Sequence, residues 1–389
     1  MECTLYLSEG CNFKCTYCYE GIEKRNEQMN VNTLEQAMTY IVSNSIKNED
    51  IYITFLGGEP LLNKPLFLYA INLINTKYKN IRDQFKLKMT TNGVFLDDEI
   101  IKIIKRERID LSISIDGREE TQKINRLSAN GENTYDLIMT NIKKLKDNEV
   151  NFNVRMTVCC NNVEKMYENV CYFLKLNINR IYLSYNYFDD WKEEKLQILH
   201  YQMNLLDELY IKDISLSRDK MVNLYDFKYT TFFCKRPIEF CSAGSVSHFV
   251  VDACGDIFPC GYVTNNKEWK IGNIWEGIQK EKFVCEARKH IVKEYNKCRV
   301  CKYAFTCIST RCGFLNYKVT GYLNKSDCKI CKLEKILYNH NLKVLKALHK
   351  RKCPRLMRYI DTIIKYQIEP NDCIQYMIEG EHVYDYFGN

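Results

Sequence analysis

Three cysteines within eight residues, Cys11-x3-Cys15-x2-Cys18, carry the most specific chemistry in this chain. Thiolates so spaced can hold three corners of a cubane [4Fe-4S] cluster, which ordinarily takes four cysteine ligands. One iron is then left open, able to bind a small molecule and pass it an electron. A zinc knuckle is the plainer use of clustered cysteines, but zinc sites add a second close pair or nearby histidines. The first histidine after this run is His200.

A second concentration runs from Cys234 to Cys331 and contains eleven of the twenty cysteines. Cys241 is followed after thirteen residues by Gly255 and after four more by Cys260; then come Cys298-x2-Cys301-x5-Cys307, Cys312, Cys328 and Cys331. Taken alone, Cys298-x2-Cys301 with Cys328-x2-Cys331 would make a four-cysteine zinc ribbon. Cys3, Cys159, Cys160, Cys171, Cys285, Cys353 and Cys373 fit no cluster and read as small buried hydrophobes.

Composition narrows the setting. At 389 residues and 46% hydrophobic the chain is long enough for two domains with a sizeable core. The net charge of +7 is dispersed among helices that also carry Asp and Glu, so no nucleic-acid-binding arm is expected. Without a signal peptide or a bilayer-length apolar run, neither a membrane span nor a secreted disulfide scaffold is expected. The expected setting is the cytoplasm, where thiolates serve as metal ligands, catalysts or core residues.

The elements that must position these groups alternate in type. Strands are expected at Thr4–Ser8, Ile51–Leu56, Phe85–Thr90, Asp110–Ile115, Asn151–Val158 and Arg180–Tyr185. Helices are expected at Asn32–Ser45 (capped by Asn32), Leu66–Lys77, Asp97–Arg106, Thr134–Lys146 and Val163–Leu176. Six β-α units fall short of a closed eightfold barrel, so the fold class is α/β: a partial (β/α)6 TIM-like barrel whose site lies at the C-terminal ends of its strands. There stand Gly57-Gly58-Glu59-Pro60, Thr90-Thr91-Asn92-Gly93 and Ser114-Ile115-Asp116-Gly117. The glycines permit close backbone approach to a ligand.

A helix over Trp191–Ile214, with Leu196, Leu199, Met203, Leu206 and Leu209 in one stripe, bridges out of the barrel. Phe249–Val251 and Asp256–Phe258 form a hairpin turning at Asp252–Gly255. That puts Cys254 roughly 20 Å along the strand from Cys260, at ~3.3 Å per residue. Past Leu333 a basic helical tail carries Lys343, Lys346, Lys350, Arg351, Lys352, Arg355 and Arg358, breaks at Pro354 and ends in Tyr384-Asp385-Tyr386-Phe387. The expected segments are 1–190 (barrel), 191–228 (bridge), 229–335 (cysteine-rich domain) and 336–389 (tail).

The C-x3-C-x2-C run with Tyr17 before its third cysteine resembles the signature of radical S-adenosylmethionine (SAM) enzymes, and Gly57–Pro60 resembles the motif that binds the SAM methionine amino group. The resemblance implies that Cys11, Cys15 and Cys18 hold the SAM-binding cluster, Asn92 lies near the ribose, and Ser114 and Arg126 meet the methionine carboxylate, with Asp116 in the same cofactor-binding set. An Arg fork suits a carboxylate. The later cysteines resemble the SPASM domain of radical SAM maturases, which implies two auxiliary [4Fe-4S] clusters and three in all. Cys298, Cys301, Cys307 and Cys328 (or Cys331) fall to the distal cluster; Cys241, Cys260 and Cys312 fall to the proximal one, with Cys234, Cys254 or an open iron completing it. The strand geometry favours Cys234 or an open iron. One departure is that four residues, not three, separate Cys307 from Cys312.

The implied reaction is reductive cleavage of SAM to a 5'-deoxyadenosyl radical that abstracts hydrogen from a substrate carbon, which needs no side-chain acid–base triad. The chain resembles Cys-rich peptide maturases of clostridia and, more distantly, anaerobic sulfatase-maturing enzymes. The latter typically carry an Asp directly after the cysteine that ends the hairpin, where this chain has Gly261. Thioether or carbon–carbon crosslinking of a Cys-rich precursor peptide is therefore expected, with formylglycine formation as the alternative. A non-catalytic iron–sulfur or zinc RNA-binding module is the alternative of another class, and an electron-transfer scaffold a third. The expected partners are the precursor peptide, a flavodoxin or ferredoxin as reductant, and a separate leader-binding protein, since ten residues before Cys11 leave no room for a leader-binding domain.

Overall fold

The computed structural model describes residues 1–235, 240–280, 284 and 296–379. In chain order its elements begin β1 (Glu2–Ser8), α1 (Val31–Ser43), β2 (Ile51–Gly57), α2 (Lys64–Thr76), β3 (Phe85–Thr91), α3 (Asp98–Glu107), β4 (Asp110–Ser114), α4 (Glu119–Asn125), α5 (Tyr135–Asp147) and β5 (Phe152–Val158). They continue with α6 (Met166–Lys175), β6 (Arg180–Tyr185), α7 (Glu193–Lys212), β7 (Met221–Val222), α8 (Asn223–Phe233), β8 (His248–Val251), β9 (Asp256–Phe258), β10 (Gly272–Asn273) and β11 (Gly277–Ile278). Last come α9 (Asn296–Arg299), α10 (Gly313–Thr320), α11 (Cys328–Lys350), α12 (Pro354–Lys365) and α13 (Tyr376–Glu379). The chain divides into two compact units, 1–156 with 241–288 and 157–240 with 289–389.

The first unit is a parallel α/β sheet. β1 pairs with β2, β2 with β3, β3 with β4 and β4 with β5, all parallel. β2 buries Ile51, Ile53, Phe55 and Gly57 and half-exposes the residues between, the two-residue period of a pleated strand with helices on its buried side. Burial of each Ile or Phe side chain contributes about 1.5–3 kcal/mol. α3 shows how the helices are delimited: Asp97 accepts from Ile100 N at its start, Ile100, Ile101 and Ile104 face the core, and Arg108 in the left-handed region ends it. α1 begins earlier than its sequence suggested, because the side chain of Asn30, not Asn32, accepts from Thr33 N at 2.9 Å. The hairpin β8–β9 forms at the expected residues, and β8 adds parallel to the free edge of β1, Leu5 facing Val251. Its turn is held by Asp252 Oδ1, which accepts from the backbone N–H groups of Cys254 and Asp256.

The second unit is mainly helical. On α7 the buried stripe is Leu196, Leu199, Met203, Leu206 and Tyr210; Leu209, expected in it, is only half-buried. The same helix buries Asp207, which accepts from Tyr225 Oη at 2.7 Å and pairs with His340 Nδ1 at 2.7 Å. Arg355 is not a free cation of the tail, because its Nη1 donates to Asp226 at 2.8 Å. Cys3, Cys159 and Cys353 are buried as expected, while Cys160, Cys171 and Cys373 are half-buried. Cys285 and the terminal Tyr384–Phe387 lie outside the described residues. Among the described residues no helix is long and apolar enough to cross a membrane.

Candidate cluster and cofactor site

The C-terminal ends of β1 to β4 bring the first set of sequence-predicted residues together. The Cys11–Cys18 loop is fixed from below by backbone pairing to the segment after α4. Lys14 N donates to Leu127 O at 2.8 Å, Thr16 N to Asn125 O at 2.9 Å and Ala129 N to Asn12 O at 2.8 Å. Thr16 Oγ1 adds a bond to Asn125 Oδ1 at 2.7 Å. With its backbone groups satisfied inside the unit, the loop can present the sulfurs of Cys11, Cys15 and Cys18 in a fixed arrangement. Burial pushes the Cys11 thiol up to about 12 and raises that of Cys15 as well. A metal taken up there must therefore displace protons.

The two glycines after β2 are required by close packing against the end of β1. A Cβ on Gly57 would lie 2.1 Å from Ser8 O, and one on Gly58 2.2 Å from Gly10 O. Their geometry lets Gly58 N bond Ser8 O and Glu59 N bond Gly10 O, each at 2.9 Å. Glu59 spends both carboxylate oxygens inside the protein: Oε1 accepts from Leu61 N and Thr91 Oγ1, and Oε2 from Asn92 N at 2.7 Å. Burial outweighs those donors and pushes its carboxyl up to about 6. Glu59 thus fixes the ends of β2 and β3 to each other. Pro60, also buried, opens the short turn that follows. Asn92 in turn donates to Asn12 Oδ1 at 2.7 Å, between two residues of the cysteine run.

At the end of β4, Asp116 is fully buried, its backbone N–H bound to Gln122 Oε1 at 2.9 Å. Its Oδ2 accepts from Tyr17 Oη at 2.7 Å, and Tyr17 Oη accepts from Arg126 Nη1 at 2.8 Å. Arg126 directly follows α4, is only 9% exposed, and lies over the Phe13 ring at 5.5 Å. Its Nε is buried and finds no hydrogen-bond partner among the described residues. A buried cationic donor left over in this way fits an anionic ligand group, such as a carboxylate, beside three cysteine sulfurs. Ser114 stands half-buried at the last position of β4.

Around the cysteine run four contributors carry no signal in the sequence. Asn12, Gln122 and Asn125 act through hydrogen bonds to residues distant in the chain or in the turn, which leave no spacing signal. The fourth is Tyr6, 2% exposed on β1, whose hydroxyl lies 2.8 Å from where a Cβ on residue 261 would stand. Tyr19 Oη is 3.5 Å from the same point.

In the second unit Cys331 is an electrostatic neighbour of both Cys298 and Cys307, and Cys301 of Cys298. Cys331 Sγ lies 3.3 Å from Ser326 Oγ, whereas Cys328, at the first position of α11, is exposed. Burial, with Glu334 nearby, pushes the Cys307 thiol up to about 12. Cys234 and Cys312 belong to this unit, and Cys241 and Cys260 to the first. Cys254 is exposed in the β8–β9 turn, its charged neighbours being Asp252, Glu9, Glu27 and Arg25.

A parallel α/β unit with three cysteines, a Gly-Gly-Glu-Pro turn and a buried arginine at adjoining strand ends defines a class, and residues 5–174 match the Radical SAM superfamily. The chain is a radical SAM enzyme, of a family that uses SAM and a [4Fe-4S] cluster. Among its relatives is the cysteine-type anaerobic sulfatase-maturating enzyme of Clostridium novyi (strain NT), 27% identical over 88% of this chain and 95% of that one. The fold is shared with native anSMEcpe with bound AdoMet and Cp18Cys peptide, at TM-score 0.73 and 21% identity over 93% of this chain and all of that one. It is also shared, at TM-score 0.56 and 16% identity over 85% of this chain and 75% of that one, with Streptococcus suis SuiB bound to precursor peptide SuiA.

Proposed function

We propose that this radical SAM enzyme oxidatively modifies a ribosomally made peptide in the cytoplasm, closing thioether or carbon–carbon crosslinks in a Cys-rich precursor. The observation that carries this reading is Gly261: the residue after Cys260 has no carboxylate, and the Tyr6 hydroxyl lies 2.8 Å from where the Cβ of one would stand. Formylglycine formation needs a proton acceptor for the oxidised Cys or Ser, and this position supplies none.

Cys11, Cys15 and Cys18 hold the SAM-binding cluster in this reading, which supplies one-electron chemistry ending in hydrogen abstraction from an unactivated carbon. Arg126, through the Nε that has no partner among the described residues, takes the methionine carboxylate together with Ser114. The Gly57–Pro60 turn receives the amino group, with Glu59 holding the turn rather than touching the ligand. Asn92 serves the ribose side, and the Tyr17–Asp116 pair orients Arg126. Two auxiliary clusters complete the set, the distal one on Cys298, Cys301, Cys307 and Cys331, which replaces the exposed Cys328. The proximal one uses Cys241, Cys260 and Cys312, with Cys234 or an open iron at its fourth position. A ferredoxin or flavodoxin supplies electrons. The exposed Lys343, Lys346, Lys350, Arg351, Lys352 and Arg358 suit an acidic leader, presented alone or by a separate leader-binding protein.

The second reading is formylglycine formation, favoured by the near full-length match to the C. novyi relative. One anaerobic incubation with SAM and reductant separates the two. A Cys-rich peptide encoded beside this gene should lose two hydrogens per crosslink, with a product that survives reduction and blocks alkylation of the cysteine. A sulfatase-motif peptide should give no aldehyde. Aldehyde without crosslinking would replace the first reading by the second.

A further inference from the structure

The segment after the third cysteine folds back onto that cysteine. Lys24 Nζ donates to Cys18 Sγ at 2.8 Å and to Glu20 Oε2 at 3.1 Å. The side chains of Lys24 and Glu20 are each only 10% exposed. A solvated i,i+4 ion pair would leave both heads in water and touch no third group. Here the ammonium is nearly dry and lies closer to the sulfur than to its carboxylate.

We propose that Lys24 is a positioning residue for the SAM-binding cluster, its ammonium hydrogen-bonding the Cys18 ligand sulfur and so setting the ease with which the cluster is reduced. This rests on the reading of Cys11, Cys15 and Cys18 as ligands. Reduction adds one negative charge to a cluster, part of it on the ligand sulfurs, and a charged donor on such a sulfur stabilises the reduced form more than the oxidised one. The low dielectric of a buried site enlarges the difference. Glu20 fixes the ammonium and neutralises it, so the pair adds a directed donor without a net charge. Two substitutions must therefore act in opposite directions. Lys24→Met removes the donor and leaves the Glu20 carboxylate alone near the cluster, which disfavours reduction. Glu20→Gln leaves the cation unopposed, which favours it.

The test is an anaerobic redox titration of the reconstituted full chain, followed by the EPR signal that changes when SAM is added. The midpoint potential should fall in Lys24→Met, stay near the unsubstituted value in Lys24→Arg and rise in Glu20→Gln, with iron content unchanged. Equal midpoints in the unsubstituted chain and Lys24→Met would overturn the proposal. Should Lys24→Met fail to fold, pulsed EPR on the unsubstituted reduced protein with 15N-labelled lysine decides the matter. A nitrogen coupling to the SAM-responsive cluster supports the hydrogen bond, and its absence overturns it. If the SAM-responsive signal survived replacement of Cys11, Cys15 and Cys18 by Ala, the ligand reading itself would fail, a result distinct from an unshifted midpoint.

Discussion

Tyr17 Oη donates to Asp116 Oδ2 at 2.7 Å. The aromatic before the third cysteine is therefore a tie between the cysteine loop and the end of β4. Because Asp116 fixes the hydroxyl proton, the oxygen lone pairs are turned toward Arg126 Nη1. The guanidinium is thereby oriented before any ligand arrives, which lowers the ordering cost of binding.

Arg126→Ala should accordingly weaken SAM binding by about 1.5–3 kcal/mol, the range for a hydrogen bond to a charged group, without changing iron content. Tyr17→Phe should cost affinity less, since the cation remains, but should also destabilise the fold by about 1–3 kcal/mol by stripping a donor from buried Asp116. Anaerobic calorimetry with SAM and chemical unfolding measure the two effects separately. Unchanged SAM affinity in Arg126→Ala would show that the carboxylate is bound elsewhere.

Glu59→Gln tests the turn after β2. Three donors converge on its carboxylate, so an amide must point its NH2 at one of them and leave that donor unsatisfied, at a cost of about 1–3 kcal/mol. The carboxyl also links stability to pH. Its folded value near 6 exceeds the unfolded 4.5, so its contribution is fullest below about 4.5 and is lost as pH rises through about 6, some ~2 kcal/mol in all. Unfolding measured from about pH 5 to 7 should show this decline in the unsubstituted chain and a flatter profile in Glu59→Gln.

The strand ends were legible because their signals are local. Hydrophobic period, turn residues and cysteine spacing placed β1 to β6 within a residue or two and put Cys11, Gly57, Asn92 and Asp116 at strand termini. Relations between distant residues were not legible. Nothing in the sequence near Asn125 marks it as the support under Thr16, or Tyr6 as the occupant of the space beside Gly261. β8 read as half of a local hairpin, yet it also joins the edge of β1, a pairing across more than two hundred residues that leaves no periodic trace. Arg355 looked like one of several surface cations because its partner Asp226 lies on another helix.

Cluster content gives a count. Anaerobically reconstituted chain should hold about twelve irons, four per cubane. Joint replacement of Cys11, Cys15 and Cys18 by Ala should remove one third of the iron and all SAM cleavage. Cys331→Ala should lose another third while Cys328→Ala loses none, because Cys331 is the neighbour of Cys298 and Cys307 and Cys328 is exposed. Iron and zinc analysis of protein purified without air checks this. Zinc as the dominant metal would refute the three-cluster assignment.

Gly261 offers the sharpest test of substrate chemistry. An Asp Cβ there would stand 2.8 Å from Tyr6 Oη, inside ordinary contact distance, and Tyr6 sits on a buried strand with little freedom to retreat. Gly261→Asp alone should therefore destabilise the chain by about 1–3 kcal/mol, the usual cost of overpacking. Adding Tyr6→Phe removes the offending oxygen and should recover most of that loss, a coupling that a double-mutant cycle reads directly. If the missing carboxylate is what separates this enzyme from sulfatase maturation, the double variant should form some aldehyde on a sulfatase-motif peptide while the unsubstituted chain forms none. The Tyr6→Phe variant alone should form none either, since it supplies no base. Aldehyde production by the unsubstituted chain, at a rate like that of a sulfatase-maturating enzyme, would mean that another group accepts the proton and that Gly261 does not mark a change of reaction.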